Sequence, residues 1–293
     1  MALPDELGFA TAYFDLPGLR LHAAVAGPAD GPLVLLLHGF PEFWYSWRHQ
    51  IGLLARAGYR VVVPDQRGYN LTGPMPPYDI DTLVADVVHL IEACGRQRAF
   101  VAGHDWGAGV AWSLAAPHPE RVERLAILNV PHPGALVRAL RRGDLRQGLK
   151  SWYMLFFQIP ILPEYLLGRD DFRVLRRSLV ATSNPGSFAP ADLDRFRDAW
   201  ARPGALAAMI GWYRALRRSR RVWRPDSNVM RVRVPTLILW GDHDVALRAE
   251  LADASLDWVD DGRLVHFPAA THWLQQDEPK AVTRHLLDHF GGV

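Results

Sequence analysis

Short apolar runs punctuate the first half of the chain at Leu33–Leu37, Arg60–Pro64, Ala99–Ala102 and Leu125–Asn129. Their hydrophobicity is nearly continuous rather than alternating, which predicts parallel strands covered on both faces. Amphipathic stretches separate them. From Thr82 to Cys94, for example, Leu83, Val87, Leu90 and Ile91 recur at helical spacing. The pattern returns after residue 233 with Thr236–Trp240 and Arg263–Phe267. This alternation predicts an α/β chain with a mostly parallel, doubly wound sheet.

The stretch from Pro133 to Asn228 breaks the rhythm. It is rich in Arg and aromatic residues, reads mostly as helix and has no convincing parallel-strand run. An inserted helical lid over 133–228 is the economical reading, with residues 1–132 and 229–293 forming the core. Two basic patches, Arg138 to Arg146 and Arg214 to Arg224, read as solvated helix faces. A partner or membrane-surface site is the sharper alternative. There is no internal repeat and no low-complexity tract.

Composition narrows the classes. With 293 residues, 49% hydrophobic and 22% charged, the chain can bury a substantial core as one large domain. A net charge of +2 does not demand nucleic acid. The one cysteine, Cys94, excludes an intrachain disulfide framework and a CxxC zinc pair. Met1 to Gly18 lacks a basic region followed by an apolar one, so no signal peptide is expected. Apolar runs fall short of the roughly 18 residues a membrane span needs. The expectation is a cytoplasmic protein with no membrane anchor.

Chemistry enters at Val101-Ala-Gly-His-Asp-Trp-Gly-Ala-Gly109. Phe100 to Ala102 reads as a buried strand, the glycines allow a sharp bend, and a helix-forming run begins at Val110. Such a strand–turn–helix is the context of a nucleophile elbow. The elbow residue is Asp105. A carboxylate there suits displacement at a saturated carbon, giving a covalent ester that water then cleaves. Its supports follow in the order nucleophile, acid, histidine. Phe40 N–H, after the strand Leu33–Leu37, and Trp106 N–H are the expected oxyanion donors. In Gly241-Asp242-His243-Asp244 the expected partner of the base is Asp244, with Asp242 the runner-up. His272 is the expected general base; His266 and His38 read as structural.

These residues carry a resemblance. Over nearly its whole length the chain resembles the epoxide hydrolases of the α/β-hydrolase superfamily. The matching motifs are His38-Gly39-Phe40-Pro41-Glu42, Asp65-Gln66-Arg67-Gly68-Tyr69 and Gly103-His104-Asp105-Trp106-Gly107. Asn129-Val130-Pro131-His132-Pro133, Phe156-Phe157-Gln158-Ile159-Pro160 and Thr271-His272-Trp273-Leu274-Gln275-Gln276-Asp277 look like the vertebrate epoxide hydrolase 3/4 subgroup and its bacterial relatives. The resemblance implies an α/β-hydrolase fold and conversion of an epoxide and water to a vicinal diol, without metal or cofactor. It also implies two lid tyrosines, Tyr153 and Tyr213, that hold and protonate the epoxide oxygen; a neutral phenol is a suitable donor. Glu42 and His104 match positions that could link to the hydrolytic water. Apolar Trp152, Leu155 and Phe156 point to a pocket for a hydrophobic epoxide. Asn70-Leu71-Thr72 departs from the family pattern by lacking the third glycine of RGYG, and the vertebrate subgroup's N-terminal anchor has no counterpart.

Haloalkane dehalogenases share the aspartate nucleophile but often carry Asn directly after His-Gly, where this chain has Phe40. Fluoroacetate-type dehalogenases carry Arg after the nucleophile and a lid His-Trp pair, where this chain has Trp106 and Tyr153-Met154. A non-catalytic scaffold on the same fold is the rival of another class.

Overall fold

The computed structural model describes residues 9–217 and 230–291. Eight strands form one sheet: β1 (Ala10–Leu16), β2 (Leu19–Ala26), β3 (Leu33–Leu37), β4 (Arg60–Pro64), β5 (Ala99–His104), β6 (Val122–Leu128), β7 (Thr236–Gly241) and β8 (Gly262–Phe267). Their order is β1-β2-β4-β3-β5-β6-β7-β8. From β4 through β8 every neighbouring pair is parallel. β3 and β7 are buried along their whole length, as their unbroken apolar runs require.

Helices α1 (Arg48–Arg56), α2 (Ile80–Ala93) and α3 (Trp106–Ala115) follow strands β3, β4 and β5, and α10 (Glu250–Leu256), α11 (Leu274–Asp277) and α12 (Pro279–Gly291) follow β7 and β8. α2 begins at Asp79, whose side chain accepts from Thr82 N–H and caps the helix. Between β6 and β7 the described chain is helical: α4 (Pro133–Arg141), α5 (Leu145–Lys150), α6 (Trp152–Phe156), α7 (Leu162–Ala181), α8 (Pro190–Trp200) and α9 (Ala205–Leu216). The expected lid boundary at Asn228 and the basic stretch from residue 218 to Arg224 lie outside the described residues.

The structure adds one thing and shifts another. The sequence reading passes over the hairpin β1–β2, which pairs antiparallel and hangs on β4. β1 is an edge strand of alternating exposure rather than a continuous apolar run. α3 starts at Trp106, earlier than the expected Val110. Its early glycines weaken helix propensity but permit contact: a Cβ at Gly107 would collide with the Leu37 backbone.

Candidate active site

Every strand that carries a candidate residue ends on the same edge of the parallel sheet. Asp105 sits between β5 and α3 with φ 49 and ψ −125, a conformation costly for a residue with a side chain. This turn holds the carboxylate away from the helix. Gly39 makes room for it, since a Cβ there would strike the Asp105 side chain. Phe40 N–H donates to Asp105 Oδ1 at 2.7 Å. Trp106 N–H lies in the first turn of α3, where amides have no acceptor within the helix.

His272 follows β8 and is 5% exposed. Its Nε2 is 3.4 Å from Asp105 Oδ2, and its Nδ1–H donates to Asp244 Oδ2 at 2.7 Å. Asp244 is tightly fixed. Its Oδ1 accepts from Ala246 N–H at 2.7 Å and Leu247 N–H at 2.9 Å, and its Oδ2 also accepts from Asn129 Nδ2 at 2.9 Å. Asp242 instead contacts His266 Nδ1, away from His272, which decides between the two aspartates. His38 serves the backbone: its Nε2 accepts from Gln66 N–H at 3.1 Å.

The charges are strongly coupled. Burial pushes the Asp105 carboxyl up, but His272, His104 and Phe40 N–H more than offset this and hold it below the usual range. Asp244 is likewise held low against burial, by His272 and Asn129. Burial disfavours the His272 cation, yet the Asp244 and Asp105 carboxylates outweigh it and raise the imidazole well above its ordinary value. The two carboxylates therefore favour the protonated form of the imidazole between them.

Behind it lies a second buried group. His104 Nε2–H donates to the His272 carbonyl at 2.8 Å, and His104 Nδ1 is 2.9 Å from Glu42 Oε2. Gln275 closes the group, with Nε2 3.4 Å from Glu42 Oε1. A carbonyl oxygen only accepts, so His104 Nε2 carries a hydrogen in that contact.

Tyr153 on α6 and Tyr213 on α9 face the same region, with ring centroids 5.9 Å apart. Tyr213 packs edge-on against Phe40 at 5.4 Å, Trp106 at 5.0 Å and Phe157 at 4.8 Å. Burial first, and the nearby Asp105 carboxylate second, push both phenols well above their ordinary value. Both remain neutral hydrogen-bond donors at neutral pH. Among the described residues no group of three His, Cys, Asp or Glu side chains could hold a metal ion.

The comparisons with known proteins bear on family and fold. The model of the alpha/beta hydrolase fold matches residues 32–154. The AB hydrolase superfamily protein YfhM of Bacillus subtilis is 40% identical over 285 residues, covering 96% of this chain and 98% of that protein. Epoxide hydrolase 4 of Homo sapiens is 38% identical over 277 residues, covering 91% of this chain and 74% of that protein. The chain belongs to the epoxide hydrolase family. A crystal structure of an epoxide hydrolase from Bacillus megaterium, in complex with an inhibitor, superposes with a TM-score of 0.86 at 30% identity, covering 96% of this chain and all of that one. This family member is thus an α/β-hydrolase-fold enzyme of the hydrolase class.

The structure corrects one expectation for this epoxide hydrolase relative. Trp152 and Leu155 are 62% and 76% exposed, so they do not wall a buried pocket. On α6 they lie three residues apart and share the outward face, while Tyr153 turns inward. Phe156 is half-buried, between Trp152 and Phe157. Three site residues went unassigned in the sequence. Asn129, at φ 52, ties Asp244 to β7 through Gly241; an Asn just past a strand is its signal, because Asn tolerates left-handed backbone. Gln275 is the second. The third, Tyr69, is buried beside His38 and Trp212 with no hydrogen-bond partner for its hydroxyl among the described residues.

Proposed function

We propose that this chain is an epoxide hydrolase that opens a hydrophobic epoxide to a vicinal diol through an ester on Asp105. The observation that carries the reading is a carboxylate at the strained elbow, 3.4 Å from His272 Nε2, with two neutral phenols across from it. Asp105 Oδ1 is engaged by Phe40 N–H, which leaves Oδ2 to attack an epoxide carbon. The carbon–oxygen bond breaks, and Tyr153 or Tyr213 donates a proton to the departing oxygen. An alkoxide is far more basic than a phenolate, so the raised phenol values do not oppose the transfer.

Ester formation removes the Asp105 charge. One of the two carboxylates that hold His272 protonated is then gone, and the imidazole value falls. His272 releases its proton, which returns through solvent to the phenolate left on the tyrosine, and becomes a base at the stage that requires one. It takes a proton from water while the water oxygen attacks the Asp105 carbonyl carbon. Phe40 N–H and Trp106 N–H hold the developing oxyanion. Collapse expels the second diol oxygen, which takes a proton from the His272 imidazolium; the Asp105 carboxyl then passes its own proton to His272, restoring the carboxylate, and Glu42 and His104 position the attacking water.

The helical insertion acts as a lid in this scheme, because it brings both tyrosines over Asp105. Phe40, Trp106 and Phe157 around Tyr213 supply apolar walls, which suits a hydrophobic epoxide. Phe at position 40 leaves no side-chain amide there for a departing halide. The test is a hydrolysis screen over aromatic, aliphatic and fatty-acid epoxides beside haloalkanes and haloacetates. Diol from styrene oxide without halide release is expected; halide release without diol overturns the reading.

A further inference from the structure

More than half of the large hydrophobic side chains exposed on the described residues fall between 145 and 165. Leu145 and Leu149 of α5 are 79% and 75% exposed, and Ile161 is 78% exposed. On α5 Leu145 and Leu149 stand four residues apart, and on α6 Trp152 and Leu155 stand three apart, the two helices being joined at Ser151. Within each helix that spacing puts the pair on one face, and all four side chains are exposed. The inward side of the same segment is occupied: Gln147 donates to Ala246 O, Lys150 to Asp244 O, and Tyr153 reaches the site. The apolar face is therefore the one the fold leaves outside. Contiguous exposed apolar surface of this kind marks an interaction site.

The charge around it selects the partner. Between residues 138 and 162 stand four arginines, Arg138, Arg141, Arg142 and Arg146, against one carboxylate, Asp144; Arg138 pairs with Asp257, and Lys150 turns inward. Asp144 caps α5 and pairs with Arg248, so it does not offset the exposed Arg142 and Arg146. An apolar helical face rimmed by arginine matches an anionic lipid interface, with the apolar side chains among the acyl chains and the arginines at the headgroups. A second copy of the chain fits worse, since a two-fold contact would press the two basic rims together. None of the described helices is long and apolar enough to cross a membrane, so the contact is with the surface.

We propose that the outward face of α5 and α6 docks reversibly on an anionic lipid surface. The surface is distinct from the catalytic groups, and its test does not depend on the reaction. Sedimentation with vesicles of equimolar phosphatidylglycerol and phosphatidylcholine, against vesicles of phosphatidylcholine alone, measures it. Wild type is expected to pellet with the anionic vesicles only, and less so as salt rises. Leu145→Ser with Leu149→Ser is expected to lower the partition coefficient about 30-fold, and Arg142→Glu with Arg146→Glu at least about 10-fold. Neither pair makes core contacts, so unchanged thermal midpoints check that the variants fold. Wild type left in the supernatant, equal binding to neutral vesicles, or binding unaffected in both variants overturns the proposal. So does a dimer in solution that the leucine substitutions convert to monomer without any vesicle binding.

Discussion

The two sides of the site are held by different physics. On the sheet side, Asp244 accepts four hydrogen bonds, His272 bridges two carboxylates, and Asp105 is fixed by a strained backbone and Phe40 N–H. On the helical side, Tyr153 and Tyr213 are placed by edge-on aromatic packing, with Phe157 against both. Directional bonds fix a group to fractions of an ångström. Ring packing tolerates more rearrangement. In the proposed scheme the sheet side carries the ester chemistry, and the helical side supplies the proton donors and the apolar walls.

The largest expected effect separates the two chemical steps. His272→Gln should slow ester hydrolysis by about 10⁴ while alkylation of Asp105 survives. Rapid mixing followed by intact-protein mass measurement should then show one equivalent of adduct. Equal loss of both steps would break the division of labour. The pH dependence sharpens it. Asp105 is held low and both phenols high, so alkylation should be flat across the neutral range. Hydrolysis needs neutral His272, and a histidine gains its proton as pH falls. Its rate should drop on the acid side, with an apparent pKa below that of the free enzyme, where Asp105 still carries its charge.

Tyr153→Phe and Tyr213→Phe should each slow alkylation by about 10² without changing hydrolysis of the ester. If single-turnover kinetics instead show the hydrolytic step slowed, the phenols serve the wrong half of the reaction. Asn129→Ala is the smallest change. It removes a donor to Asp244 Oδ2 and both bonds to Gly241, and should cost about 1–3 kcal/mol in a denaturant titration. Turnover should fall about tenfold as the Asp244–His272 contact loosens. Full activity in that variant would show that the sheet side does not need its bracing.

Much of this was legible beforehand because the sheet side is written in local sequence. Continuous apolar runs gave six strands to within a few residues, and short motifs at their ends placed Asp105 and His272. The GxxD spacing ranks Asp244 above Asp242, and the fold sets Asp244 against His272 and Asp242 against His266. The hairpin β1–β2 was missed because the edge strand β1 alternates and carries Asp15, and β2 carries Arg20 and His22. The helical side was less legible. Composition shows that residues 152 to 157 are apolar or aromatic, but not which face each takes. Trp152 and Leu155 were consequently assigned inward, where Phe157 actually stands.

One turnover in ¹⁸O-labelled water, with enzyme in excess over styrene oxide, tests the whole scheme most directly. Water attacks the carbonyl carbon of the ester, so the heavy oxygen should remain in the peptide bearing Asp105 and the diol should leave unlabelled. Label found directly in the diol, with that peptide unchanged, would contradict a covalent route.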